Sequence, residues 1–246
     1  MTRNIAQDNA NRTLFLDTAC HDLKQSLYAV SYSMEALATT QINEKQKPII
    51  KSLHNSINAM ERMLTALLDT SRLESGTIQP NNQHFNLENI LSGVRAEGMV
   101  LSRQKSLDFQ CNETECIACT DPVLLETIMR NLVANAFRYT QEGKVWIICT
   151  NLDDGTLAIE VGDTGIGIHA DNHEKIFNEN YQVDNPGKDK SKGLGLGLTI
   201  VQKLAKILNL EIKLNSKKAQ GTQFIVTVLQ GQLRTKPTTK PQPPAT

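Results

Sequence analysis

No apolar run in the 246-residue chain approaches the roughly 20 residues that a membrane-spanning helix needs, and the stretch from Met1 to Arg12 is polar, without a signal-peptide core. The expectation is a soluble, cytoplasmic chain, compatible with the soluble core of a larger, membrane-attached protein. Net charge is missing as well. Twenty-six basic residues balance 26 acidic ones, which leaves no global field to hold a nucleic-acid backbone or an anionic membrane. The cysteines number five, and an odd number argues against a complete disulfide framework and suits a reducing compartment. Cys116 and Cys119 form a C-x-x-C, but in an extended segment residues three apart point to opposite faces, so ordinary thiols are favoured over a metal or redox pair. The Walker pattern G-x-x-x-x-G-K-[ST] is absent too, which disfavours a P-loop enzyme.

What is present is ordinary in bulk: 39% hydrophobic and 21% charged residues, enough for one large or two modest globular domains. From Arg12 to Leu37, Leu16, Leu23, Leu27, Val30, Met34 and Leu37 trace the stripe of an amphipathic helix. Ala38 to Lys47 breaks the pattern, and Ile50, Leu53, Ile57, Met60, Leu64, Leu67 and Ser71 trace a second stripe that ends near Ser75-Gly76. Two long helices joined by a short loop make an antiparallel hairpin, which has only one partner for each stripe. Two copies packed as a four-helix bundle supply the missing layer, so a homodimer is expected.

Beyond Gly76 the texture becomes mixed. Asn86 reads as the cap of a helix to about Lys105, Leu107 to Cys119 as one extended segment, and Asp121-Pro122 as the start of another helix. Val145–Thr150 with Thr156–Gly162, and Leu210–Asn215 with Thr222–Leu229, read as two hairpins. The expected organisation is a polar segment at 1–12, the helical hairpin at 13–76, a two-layer α/β sandwich with a mixed sheet at 77–231, and a proline-rich linker or tail at 232–246.

The chemistry lies in an ordered trio. Asn131 and Asn135 fall one turn apart on one helix face, where amide oxygens can bind Mg²⁺ and amide nitrogens can bind phosphate. Asp163 ends a strand, and Gly165 and Gly167 let a flat base approach the backbone closely; a carboxylate there accepts from an exocyclic amine and so favours adenine. Gly193, Gly195 and Gly197 open a further helix, whose first amides favour phosphate oxygens. Between the glycine turns, His169 to Lys192 reads as a lid. Singly, each piece also fits surface asparagines, a plain tight turn or a solvated loop.

In combination, Asn131-x-x-x-Asn135-Ala-x-Arg138-Tyr139-Thr140, Asp163-Thr-Gly-Ile-Gly-Ile168, Ile176-Phe177 with Tyr181-Gln182, and Lys192-Gly-Leu-Gly-Leu-Gly-Leu198 resemble the ATP-binding domain of sensor histidine kinases. Leu67 to Gly76 is similar to the end of that family's second dimerisation helix. The resemblance runs from about Thr13 to Leu229 and implies a Bergerat-type ATP-binding fold behind a dimerisation and phosphotransfer hairpin. It carries Arg138, Tyr139, Phe177, Leu194, Leu196 and Thr222 over as further nucleotide contacts, with ATP and Mg²⁺ as the ligands and Asn135 as the metal residue.

It also makes His21 the phosphoacceptor and Asp22 its acidic neighbour. A neutral imidazole attacks the γ-phosphoryl group in line while the acid orients the ring and takes up developing charge. Phosphoryl transfer to an aspartate of a response-regulator receiver domain is implied. Two positions depart from the family: Ser26 stands where a helix-bending proline is usual, and Thr127 stands four residues before Asn131, where a glutamine or glutamate is common. Gln25, one turn after His21, is positioned to orient a water for dephosphorylating the partner regulator. The competing readings are a non-catalytic dimeric scaffold and an ATPase of the wider superfamily.

Overall fold

The computed structural model describes residues 78–178, 181 and 195–232 and, between 23 and 60, every residue except Lys24, Ala38, Gln41, Asn55, Asn58 and Ala59. The start of the first helical stripe and the end of the second, with Leu16, Leu64 and Leu67, lie outside the described residues.

Among the described residues, those from 23 to 37 are helical (α1), as are those from 46 to 60 (α2). A reciprocal capping box starts α2. The Asn43 side-chain oxygen accepts from the Lys45 and Gln46 amides at 3.1 and 3.0 Å, and the Gln46 side-chain oxygen accepts from the Asn43 amide at 2.9 Å. Gln46 and Lys47 therefore belong to the helix and not to the polar break that the sequence suggested. At the other end, the Thr39 and Thr40 hydroxyls donate to the last carbonyls of α1. The apolar stripe divides. Met34 and Ile57 are 7% and 6% exposed, whereas Leu23, Val30 and Leu37, spaced by seven, are 51%, 48% and 50% exposed.

The α/β module is built on a seven-stranded mixed sheet. Its elements are β1 (Gln83–Asn86), α3 (Glu88–Lys105), β2 (Asp108–Cys111), β3 (Ile117–Thr120), α4 (Pro122–Tyr139), β4 (Lys144–Asn151), β5 (Thr156–Asp163), α5 (Gly197–Leu208), β6 (Glu211–Ser216) and β7 (Thr222–Gln230). The strand order is β1-β3-β7-β5-β4-β2, with β6 also on β7. Only the β2–β4 pair is parallel. One edge of β7 lies along β5, and the other is divided between β6 and β3.

Period-two alternation decides which face of the sheet is covered. Val145 and Ile147 on β4, Leu157, Ile159 and Val161 on β5, and Phe224, Val226 and Val228 on β7 are buried in one core with the apolar faces of the helices. From α4 that core takes Leu125, Ile128, Met129, Leu132, Val133 and Phe137; from α5 it takes Ile200, Val201, Leu204 and Leu208. On the opposite face the Trp146 indole N–H donates to Glu160 at 2.6 Å, and the Lys144 ammonium lies 5.4 Å from the ring centroid.

Both expected hairpins form as β4–β5 and β6–β7. Two other readings need correction. Leu107 to Cys119 is not one extended segment but β2 and β3, which pair near opposite edges of the sheet; the polar run Asn112–Glu115 between them has no apolar face to hold it there. Asn86 is the last residue of β1, and its side-chain oxygen accepts the Glu88 amide at 2.9 Å, but the residue at the cap position of α3 is Leu87. Cys111, Cys116, Cys119 and Cys149 are unbridged.

Candidate nucleotide site

Asp121 sets the start of α4: its carboxylate accepts from the Val123 and Leu124 amides at 2.9 and 3.1 Å, and Pro122 occupies the first turn, where no N–H is needed. The helix then runs beneath a pocket. Asn135, Arg138 and Tyr139 line it from α4, Asp163 from the end of β5, Gly167 from the following turn, Gly195 and Gly197 from the start of α5, and Thr222 from the start of β7. Three motifs separated by some 60 residues of sequence thus meet around one cavity.

Asp163 is buried, and desolvation pushes its carboxyl up to about 6, while the Gly165 and Thr222 amides and the Thr140 hydroxyl oppose the rise. The Gly165 amide donates to it at 2.8 Å. At neutral pH the group is mostly ionised and presents an acceptor in an apolar slot lined by Val161, Ile168, Ile176 and Phe224, a suitable contact for an exocyclic amine. Gly167 has φ of +61°, and a Cβ there would lie 2.0 Å from the Lys217 carbonyl oxygen, because the β6–β7 turn presses against this loop. The Ala219 amide, which donates to the Ile166 carbonyl at 2.7 Å, fastens the two together.

The opposite wall depends on a second close approach. A Cβ on Gly197 would lie 3.0 Å from Asn131 Oδ1 and 3.5 Å from Asn135 Nδ2, so the start of α5 sits directly on the two amides. They are not equivalent. Asn131 donates its amide nitrogen to the Thr127 carbonyl at 2.9 Å and is not among the lining residues, whereas Asn135 faces the cavity. Thr127 is itself turned inward on the helix, its hydroxyl donating to the Val123 carbonyl at 2.9 Å, and Glu126 pairs with Arg130. At the far end of α4, Lys105 Nζ reaches the Phe137 carbonyl oxygen, which satisfies an end-of-helix acceptor and steadies the turn bearing Arg138 and Tyr139.

Other expected residues fall around this frame. Gly165 forms the turn without lining the cavity, and Leu196 packs on the core. Phe177 supports the pocket from behind: its ring meets Phe224 edge-on at 6.4 Å, and its carbonyl accepts the Thr199 hydroxyl at 3.0 Å. Gly193 and Leu194 lie outside the described residues, as do His21 and Asp22 and, of the expected lid from His169 to Lys192, residues 179, 180 and 182–192. Gln25 is exposed on α1. The lining residues missing from the expected set are apolar: Leu132, Ala136, Val161, Ile166, Ile168, Ile176, Leu198 and Phe224, together with Tyr181, whose hydroxyl donates to Asn172 at 2.7 Å. Of these, Ala136, Ile166, Ile168, Ile176, Tyr181 and Leu198 stand within the quoted motifs, and that adjacency was the available signal.

Comparison with known proteins agrees with this geometry. The family model for the His Kinase A (phospho-acceptor) domain matches residues 11–76, and that for the histidine kinase-, DNA gyrase B- and HSP90-like ATPase matches 120–232. The chain belongs to the histidine kinases. Its two matched segments, in this order, are those of a histidine kinase catalytic core, and the α/β module is the ATP-binding part. Sensor histidine kinase RcsC of Escherichia coli K12 is 26% identical over 231 residues, covering 93% of this chain and 24% of the relative. The aerobic respiration control sensor ArcB of the same strain is 29% identical over 222 residues, covering 89% and 28%. The kinase core thus spans about a quarter of the length of these relatives.

Among solved structures, full-length ShkA in complex with AMPPNP matches the fold with a TM-score of 0.70 at 23% identity, covering 89% of this chain and 46% of that one. The Acinetobacter baumannii kinase AdeS matches with a TM-score of 0.57 at 18% identity, covering 86% and 98%. No helix among the described residues is long and apolar enough to cross a membrane.

Proposed function

We propose that this core transfers the γ-phosphoryl group of ATP to His21 and then to an aspartate of a response-regulator receiver domain, acting as a homodimer. The observation that carries the reading is the convergence of Asn135, the Asp163 carboxylate and the start of α5 on one cavity. Adenine enters the slot beside Asp163, which accepts its exocyclic N–H. The phosphates extend toward Gly195 and Gly197, whose position at the start of α5 supplies backbone N–H donors and the positive end of the helix dipole.

The donor chemistry fits a hard divalent cation: the Asn135 side chain lines the cavity, and its amide oxygen is a ligand of the kind such an ion takes. Bound there, Mg²⁺ neutralises phosphate charge. His21 supplies the attacking ring nitrogen, and Asp22 orients the ring through the other nitrogen and takes up its charge. A nitrogen–phosphorus bond forms as the bond from the γ-phosphorus to the β,γ-bridging oxygen breaks, and ADP leaves. Most of the acceleration comes from alignment and charge neutralisation.

The dimer follows from the divided stripe. Leu23, Val30 and Leu37 sit at heptad spacing and stay half-exposed in a single chain while Met34 is buried, the pattern of a helix that packs within its hairpin on one line and against a second copy on the other. Gln25, exposed on the same helix, is the residue proposed to orient water when the regulator is dephosphorylated; unchanged phosphatase activity in Gln25→Ala would remove that role.

The test of the central reading is incubation with γ-labelled ATP and Mg²⁺. Acid-labile, base-stable label is expected in the wild type and absent in His21→Gln. Label that persists in the mutant refutes His21, ATP turnover without label favours an ATPase, and neither label nor turnover favours a scaffold.

A further inference from the structure

The two oxygens of the Asp121 carboxylate have separate tasks. Oδ1 accepts from the Val123 and Leu124 amides and so caps α4. Oδ2 accepts at 2.8 Å from the backbone N–H of Asn81, 40 residues earlier in sequence. Asn81 lies just ahead of β1, in the irregular segment through which the chain enters the α/β module from the hairpin side. Asp121 itself is buried, so neither hydrogen bond is easily exchanged for water. A carboxylate is planar and rigid. A displacement of the entering chain that drags the Asn81 amide must rotate the group and degrade the cap of the helix bearing Asn131 and Asn135.

The seam has a second feature. Thr120, adjacent to Asp121 and paired with Gln83 of β1, has a hydroxyl that is buried with no hydrogen-bond partner among the described residues. Polar groups in such a position are usually satisfied, so the contact between the entering chain and the start of α4 is not closed tightly by its own side chains. Asp121 adds a side-chain hydrogen bond across it, just ahead of the β1–β3 ladder.

Resting on the kinase reading above, we propose that Asp121 is a positioning residue for autophosphorylation: it fastens the entering segment to α4, so that the direction in which bound ATP is presented to the phosphoacceptor is set at this joint. The two tasks can be separated. Asp121→Asn keeps an oxygen acceptor for Val123 and Leu124, asparagine being an N-cap of equal quality, but turns an NH₂ group toward the Asn81 amide, donor against donor. Asp121→Ala removes both contacts.

The test uses the full chain and measures kcat and KM of autophosphorylation together with hydrogen exchange at single amides. In Asp121→Asn, KM for ATP should stay within about twofold of wild type and the Val123 and Leu124 amides should stay protected; the Asn81 amide should exchange faster, and kcat should fall about tenfold, the scale of one charge-assisted hydrogen bond. Asp121→Ala should lower kcat and also raise KM. A wild-type kcat in Asp121→Asn with the Asn81 amide released overturns the proposal, as does a parallel change of kcat and KM in both variants, which is the behaviour of a cap alone. A wild type that binds ATP but leaves His21 unlabelled overturns the kinase reading instead, and the role given to the joint falls with it.

Discussion

The helices of the hairpin and those of the α/β module bury their apolar stripes to different degrees. On α4, Leu125, Ile128, Met129, Leu132, Val133, Ala136 and Phe137 are all buried by partners from the same chain, whereas along α1 and α2 only Met34 and Ile57 reach that state among the described residues. One sheet face and three helices complete a core; a single pair of helices does not. The contrast separates what a single chain can stabilise from what needs a second copy. It also separates the functions: the pocket belongs to the completed part, and the proposed acceptor to the incomplete one.

The most forceful way to break this comparison is to place a charge on the open line of α1. If Val30 faces solvent, Val30→Asp changes little. If it faces a second copy, two-fold symmetry buries two unpaired carboxylates in each dimer, and at about 2 kcal/mol each the dissociation constant should rise about 1,000-fold. Sedimentation equilibrium measures the association, and ATP affinity measured alongside should stay within about twofold, because the pocket draws no residue from α1.

Within the completed part, Asp163→Asn should weaken ATP binding about 100-fold by removing a buried charged acceptor, without changing the state of association. The wild type can be titrated across the same contact. With the Asp163 carboxyl at about 6, ATP affinity should fall about tenfold between pH 7 and pH 5, and this dependence should vanish in Asp163→Asn. Stability of the nucleotide-free protein follows the opposite sense. A carboxyl raised by folding stabilises fully below its ordinary value near 4, and that contribution is lost as pH rises through 6, so the increase in Tm on adding ATP should widen from pH 5 to pH 7. Isothermal titration and thermal melts at the two pH values check both directions.

The same contrast explains what could be read in advance. The hairpins β4–β5 and β6–β7 were legible because their strands are neighbours in sequence joined by turn residues, and the polar pocket residues because their spacings are fixed by helix and turn geometry. The separation of β2 from β3 was not, since each strand is defined by a partner far away in the chain, β4 for one and β1 and β7 for the other. Nor was the different orientation of Asn131 and Asn135: helical spacing places both on one face, but only the bond from Asn131 to the Thr127 carbonyl turns it aside. The apolar slot around Asp163 was hidden for a related reason, because Ile176 and Phe224 approach it only when the sheet and its loops assemble.

The smallest expected effect tests how complete the completed part is. Thr120 stands at 2% exposure, its hydroxyl unpaired among the described residues, in a strand whose other inward residue, Ala118, is wholly buried. Valine has the same branched shape and suits a strand, so Thr120→Val removes the desolvated hydroxyl while keeping the volume. A gain of about 1 kcal/mol is expected, seen as a Tm higher by about 2–4 °C. A loss of stability would show that the hydroxyl has a partner in solution and that the seam beside Asp121 is already closed. A gain with unchanged kcat would locate control of the joint in the Asp121 carboxylate alone, and a gain accompanied by slower autophosphorylation would show that the looseness of this seam is itself used when ATP is presented to His21.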